Sequence, residues 1–532
     1  MLTKKSSLSF SETNLFSPII LDFIKSDSKL LSFIDCFPNI DSLKNKLKKI
    51  NFESREVLVN TVRKQYNNTS FLAGRSKDVD DNINLLLDSK TFTICTGHQL
   101  NIFISPLFLI YKITSLIAYA NYLDEHIPNH RFVPCFWMAT EDHDFKEINE
   151  LSIYNKKYSW NLQTKNAVGN LSTHSMKDLL SDLKKVLDQS EHGRDLYNIY
   201  YHAYTANSNY ADATRSIINS LFGDYGLVVV DGNCMAQKQL FSNDMKEEIT
   251  TNYIFKNILD SNLSMRSIYK PMINPLKSNL FYLHNNIRSK ILYNNNEYKS
   301  LCHNKEWTKK ELLNEIENYP NRFSPNVFMR TLYQQSILPN VLYLGGPSEI
   351  AYWLQLLSLF NSKGKLFPVL DLRSFFIILS KSILNFYKKH NLNDADIFID
   401  YHLKIKKIIK NISNHDDLKL KKDINDLLEI IEKKISKIHN FPLNSFRVFE
   451  KRVNNSLLQL ESKIIKFEKN NNKNVLDQLS SLEQKIFTNN NPQEKSYSFI
   501  PYFIKYGPAF FNLLIEESLI FDNKYIILKE NG

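Results

Sequence analysis

Short apolar runs alternate with longer amphipathic stretches through the first 379 residues of the chain. Residues 91–96 (TFTICT) are rich in β-branched side chains and read as a buried strand. The chain then passes Gly97 and a short loop to Ser105 and Pro106. A serine cap followed by proline at the first helical position predicts a helix running to about Leu123. Residues 132–139 form a second apolar run that stops at the polar string Thr140-Glu141-Asp142-His143-Asp144. A third run is LVVV at 227–230. The fourth, at 341–344, ends in Gly345-Gly346-Pro347-Ser348 ahead of a helix over 349–360, and LFPVL at 366–370 is the fifth. Strands separated by helices predict βαβ units and a parallel sheet. Ligands of such sheets sit beyond the carboxyl ends of the strands, so the polar and glycine-rich strand ends are the first places to look for chemistry.

From about residue 380 the pattern changes. Lys, Glu, Asn, Leu and Ile dominate, and Ile424, Leu428, Ile431, Ile435 and Ile438 recur at alternating steps of four and three. Val453, Leu457, Leu460, Ile464 and Phe467 repeat the spacing, with Pro442 between the two runs. This is the a/d pattern of a coiled coil, broken by a residue that cannot continue a helix. Two antiparallel helices forming an arm are predicted, packed on each other and the core or presenting a seam to a second subunit. The organisation expected is an α/β core over 1–379, a helical coiled-coil domain over 380–495 in which no chemistry is placed, and a segment over 496–532 that returns to the core.

Composition changes this picture little. A length of 532 residues and a hydrophobic fraction of 43% support two or three folded domains. The formal net charge of +11 is spread through a Lys- and Asn-rich chain without an arginine-rich stretch. Nucleic-acid binding, which needs clustered charge, is therefore not expected, whereas anionic small substrates remain compatible. Cys36, Cys95, Cys135, Cys234 and Cys302 are odd in number and contain no CxxC pair, which argues against disulfides and a thiolate zinc site and for a reducing cytoplasm. No secretory signal and no transmembrane span are expected.

Four clusters carry candidate chemistry. Thr96-Gly97-His98-Gln99 with Asn101 offers neutral donors and acceptors suited to phosphate or adenine; the alternative is a turn with a buried histidine. Glu141, Asp142, His143 and Asp144 could hold Mg²⁺ beside a nucleotide or take a proton from an amine; the alternative is a solvated acidic loop. No HExxH or HxH pairing supports zinc. Arg330, four residues after Asn326, could clamp a carboxylate or phosphate, or form an interhelical ion pair. Gly345 and Gly346 offer backbone N–H groups at a helix start, with Glu349 and Tyr352 side by side in its first turns and Trp353 in the core. No GxSxG elbow and no Walker motif occurs, and Cys95 and Cys135 lie inside apolar strands.

TGHQLNIFISPLFLIYK, VPCFWMATEDHDFKEIN, LFGDYGLVVVD, FSPNVFMRTLYQQSILPNVLYLGGPSEIAYWLQ and SFIPYFIKYG follow one another in this order. Together they resemble the cysteine-adding enzymes of bacillithiol biosynthesis over nearly the whole chain. The resemblance implies a Rossmann-like core with connecting elements similar to class I aminoacyl-tRNA synthetases, and a coiled coil able to mediate a homodimer. It implies addition of L-cysteine to glucosaminyl-malate, with ATP expected because amide formation from a free acid is uphill. His98 and Gln99 would then contact the nucleotide over a loop supported by Asn101. Asp142, His143 and Asp144, with Glu141, would hold Mg²⁺ or deprotonate the amine. Arg330 would bind a malate carboxylate, and Gly345 and Gly346 would present N–H groups. The competing expectations are a non-catalytic assembly protein of the same pathway and a hydrolase of thiol conjugates, which should work without nucleotide.

Overall fold

The computed structural model describes residues 2–530 apart from 73–75, 155, 295–296, 414–416 and 440. Its centre is a five-stranded, all-parallel sheet of β1 (Thr91–His98), β2 (Arg131–Met138), β3 (Val228–Asp231), β4 (Asn340–Gly345) and β5 (Val369–Leu372). The strand order is 5-4-1-2-3. Every strand is buried along almost its whole length, which is why these segments read as continuous apolar runs. The order reverses between β1 and β4: the chain winds outward through β2 and β3, then crosses back to the other side of β1. At such a switch point the two flanking connections leave in opposite directions and open a crevice at the carboxyl ends.

Three boundaries differ from the sequence expectation. β5 begins at Val369, because Pro368 has no N–H to give to the ladder. The helix after β1, α1 (Leu107–His126), takes Pro106 as its N-cap, while Ser105 already has helical dihedrals. The helix predicted over 349–360 is two pieces, Pro347–Trp353 and Leu357–Ser362. The break is at Gln355, whose fully buried side chain accepts from the backbone N–H of Met272 and Ile273, both at 3.0 Å. A side chain recruited to satisfy a neighbouring loop displaces the helix that would have carried it.

The long connection from β3 to β4 contains an antiparallel sheet ordered Lys305–Trp307, Glu297–Ser300, Ile287–Asn294, Leu280–His284 and Phe323–Pro325. A third sheet joins both ends of the chain: Lys524–Glu530 pairs antiparallel with Leu2–Ser9 and parallel with Phe375–Leu379. The final segment does return to the core, since Leu107 N–H donates to Tyr497 O and Phe499 N–H to Ser105 O, each at 3.0 Å.

The arm is helical as predicted, with α3 (Asp417–Ile435) and α4 (Leu443–Asn471) on either side of Pro442. Leu428 and Leu457 of the two heptad runs are buried, whereas Ile438, Leu460 and Phe467 are exposed, as are Leu427, Ile430 and Leu458 between the heptad positions. No helix among the described residues is long and apolar enough to cross a membrane.

Candidate functional site

A cavity of about 950 Å³ opens at the switch point, beyond the ends of β1 and β4. This lies at the upper end of the roughly 300–1,000 Å³ range of small-molecule sites and leaves room for more than one reactant. Gly97, His98 and Gln99 enter it from β1. Gly346, Glu349 and Tyr352 enter from the β4 connection, and Arg330 from α2 (Val327–Ile337). Three of the four clusters marked in the sequence thus meet in one space, although the first is more than 200 residues from the other two.

His98 packs its ring on Phe108, with centroids 4.9 Å apart. Burial, with the nearby Lys112 ammonium and Arg373 guanidinium, holds the imidazole well below its usual range, so it is neutral at neutral pH. None of the described residues hydrogen-bonds this imidazole. The half-buried Arg330 guanidinium likewise has neither a hydrogen bond nor a direct ion pair among the described residues. A guanidinium in a cavity wall without a directly bonded carboxylate can receive an anion.

The Gly-Gly turn is occupied differently from the expectation. Gly346 N–H donates to Glu349 Oε2 at 2.7 Å, so this N–H is taken by the chain's own carboxylate and is not offered to a ligand. Glu349 Oε2 also lies 2.5 Å from Lys112 Nζ, and Tyr343 OH donates to Oε1 at 3.2 Å. Lys112 in turn donates to Gly97 O at 3.0 Å. This buried lysine of α1 therefore ties the end of β1 to the end of β4 and fixes the spacing of His98 and Glu349. Neither Lys112 nor its bridging role stands out in the sequence, where it looks like an interruption of an apolar helix.

The acidic string lies just behind the cavity. Gln99 Nε2 donates to Asp142 Oδ2 at 3.0 Å, and Arg288, from the antiparallel sheet, reaches Asp142 Oδ1 at 3.4 Å and His143 Nδ1 at 3.2 Å. Burial pushes the Asp142 carboxyl up, but Arg330, the Gln99 amide and Arg288 outweigh it and leave it below the usual carboxylate range. Ligand atoms of Asp142, His143 and Asp144 lie within 4.8 Å of one another. An arginine can only donate, so the His143 Nδ1 facing Arg288 is an acceptor already in use. The carboxylates of Asp142 and Asp144 fit a hydrated Mg²⁺, which takes oxygen ligands and keeps several waters; the imidazole fits it poorly.

Five residues marked in the sequence are placed elsewhere. Glu141 is buried in an ion pair with Lys238 and does not reach the cavity. Thr96 is buried within β1 and donates to Leu344 O at 2.7 Å, joining β1 to β4. Asn326 is the N-cap of α2, accepting from Phe328 N–H and Met329 N–H at 3.1 and 3.0 Å. Asn101 is buried under the loop and donates to Glu147 O at 3.3 Å, a supporting position. Gly345 is the last residue of β4. Burial pushes the thiols of Cys95 and Cys135 well up, consistent with inert packing positions.

The remaining wall comes from a region expected to hold no chemistry. Asn490, Asn491, Pro492, Glu494 and Lys495, at the base of the arm, line the same cavity. Glu494 accepts from Arg373 Nη1 and Nη2 at 3.0 and 2.7 Å, and both side chains are 3% exposed. Arg373 follows β5 directly, so this bidentate pair fastens the base of the arm to the parallel sheet.

The comparisons agree with this architecture. The sequence matches "Bacillithiol biosynthesis BshC, N-terminal Rossmann-like domain" over residues 3–374 and "Bacillithiol biosynthesis BshC, C-terminal coiled-coil domain" over 376–530. Proteins named "Putative cysteine ligase BshC" are similar to it along their whole length. The one from Flavobacterium psychrophilum is 33% identical over 522 residues, covering 96% of each chain. That from Christiangramia forsetii is 32% identical, covering 98% of each. A more distant one from Bacillus cereus is 24% identical, covering 96% of this chain and 98% of its own. With both domains matched and the similarity running end to end, the chain belongs to the BshC family of bacillithiol biosynthesis.

Proposed function

We propose that the chain is an ATP-dependent ligase that joins the carboxyl group of L-cysteine to the amine of glucosaminyl-malate, forming bacillithiol in the bacterial cytoplasm, where its five free thiols stay reduced. The observation that carries this reading is the switch-point cavity, in which the unpartnered Arg330 guanidinium and the neutral His98 imidazole face one space. ATP supplies the activation that makes the cysteine carboxyl an acylating group. Arg330 binds a malate carboxylate and orients the sugar. Neutral His98 contacts the nucleotide as a hydrogen-bond partner, and Gln99 holds Asp142 in place. Asp142 and the exposed Asp144 would hold the Mg²⁺ that accompanies the nucleotide, or Asp144, if not so used, would take the proton from the amine. A hydrolase of thiol conjugates would need no nucleotide, and an assembly protein no anion receptor facing a cavity.

The test is reconstitution with glucosaminyl-malate, cysteine and ATP–Mg²⁺, following bacillithiol by mass spectrometry and nucleotide products in the same sample. Product with matching AMP supports an adenylate, and product with ADP an acyl phosphate. Full activity in both His98→Ala and Asp144→Ala would remove this site from consideration.

A homodimer through the arm completes the proposal, because Leu427 and Ile430 on one side of α3 are each about half exposed. In sedimentation velocity the wild-type chain should run as a dimer, and Leu427→Glu with Ile430→Glu should shift it to the monomer. A monomeric wild type would end that part of the proposal.

A further inference from the structure

Three acidic residues line the cavity, Glu147, Glu349 and Glu494, and the last two are already paired with Lys112 and Arg373. Of its lysines and arginines, Lys112 and Arg373 are therefore neutralised within the protein. Two cations are left without a hydrogen bond or ion pair among the described residues: Arg330 on the sheet side and Lys495 on the arm side. An isolated exposed lysine would be unremarkable on a surface. Lys495 is different because its immediate neighbours are locked. Gln493 Oε1 accepts from Ile378 N–H at 2.9 Å, and its Nε2 donates to Ile378 O and Lys485 O, both at 3.1 Å. Glu494 holds the buried bidentate pair with Arg373. Tyr497 O, two residues further on, is fixed by Leu107 N–H. A flexible cation is thus carried on a short helix, Gln493–Ser496, whose backbone is pinned to the cavity wall.

We propose that Lys495 is a second carboxylate receptor, working with Arg330 across the cavity, and that the pair makes the site select a dicarboxylate over a monocarboxylate. This rests on the ligase reading, in which the malate end of the acceptor substrate carries two carboxylates. One carboxylate meets the planar fork of Arg330, and the second meets the compact, mobile ammonium of Lys495, which tolerates variation in position. Because one receptor belongs to the α/β core and the other to the arm, the acceptor site is complete only when the two domains are seated on each other. Selection comes from the cation that a monocarboxylate leaves unmatched: it stays solvated and contributes nothing.

The test uses the full-length chain and two measurements. In calorimetric titration, wild type should bind L-malate at least tenfold more tightly than L-lactate, which lacks the second carboxylate. Lys495→Gln should reduce that ratio to below threefold by weakening malate alone, and Lys495→Arg should restore most of it. In the ligase assay, Lys495→Gln should raise KM for glucosaminyl-malate by about tenfold with kcat little changed, leaving KM for cysteine unaltered. Equal binding of malate and lactate by wild type, or an unchanged ratio in Lys495→Gln, overturns the inference. If malate selectivity follows Lys495 while no ligase product forms in wild type, the ligase reading fails and the dicarboxylate site stands.

Discussion

Arg330→Ala should lower kcat/KM for glucosaminyl-malate on the order of 100-fold, a loss of about 2.7 kcal/mol of transition-state stabilisation. The guanidinium is half-buried in the cavity wall and makes no direct ion pair among the described residues, so only its longer-range attraction to Asp142 competes with a substrate carboxylate. Removing it leaves a desolvated substrate carboxylate with nothing to replace lost water, and this is where the loss arises. The same substitution should change stability little. Arg330 works against its neighbour Arg288, whose guanidinium burial and Arg330 together hold below its usual range, but it also favours the Asp142 carboxylate, so its removal relieves one interaction and loses the other. Thermal midpoints of Arg330→Ala should therefore stay close to those of wild type. Arg330→Lys should recover only part of the activity, since a single ammonium cannot reproduce a bidentate contact. Steady-state kinetics with the acceptor varied decide the matter, and activity within threefold of wild type would exclude Arg330 from substrate binding.

Glu494→Ala should be among the most destabilising single changes in the molecule, by about 3–5 kcal/mol, because it strands the Arg373 guanidinium in a buried site. Both side chains are 3% exposed, and the other Arg373 contacts are the Ser374 carbonyl at 2.9 Å and the face of the Phe375 ring at 4.1 Å. Neither neutralises a charge. The double variant Arg373→Met, Glu494→Met should recover most of the loss, since apolar replacement of a buried ion pair is often neutral or better. Urea unfolding followed by intrinsic fluorescence separates the cases: equal midpoints for Glu494→Ala and wild type would show that the pair does not hold the arm to the sheet. Activity should fall with stability in the single variant, as the wall carrying Lys495 loses its anchor.

How far the architecture is legible in the linear pattern depends on the range of the interactions involved. The five parallel strands are buried on both faces and so appear as unbroken apolar runs; their ends carry the polar clusters because the chain must turn there. The heptads of the arm are equally local. The antiparallel sheet between β3 and β4 went unread, although a signal was present. Asn285 and Asn286, both with positive φ (47° and 66°), join Leu280–His284 to Ile287–Asn294, and two asparagines in that conformation suit a tight hairpin turn. The polar alternation of those strands hides them, because one face is solvated. Arg288, which reaches into the acidic string from that sheet, was missed for the same reason.

Linear pattern is enough for the two-domain plan and the parallel sheet, which rest on burial periodicity, and for singling out His98, Gln99 and Glu349 beside strand ends and Arg330 by its helical spacing from Asn326. Which of these groups remain free depends on contacts made in three dimensions. Glu141 and Asn326 look as available as Asp144 and Arg330 until Lys238 and the α2 backbone are seen to consume them. Lys112, Arg373, Glu494 and Lys495 gain their places from packing across long stretches of chain; Arg373 and Glu494, 121 positions apart, form one bidentate contact. Whether a charge is spent or available depends on what stands within a few ångströms of it, and local sequence patterns carry no information about partners that distant.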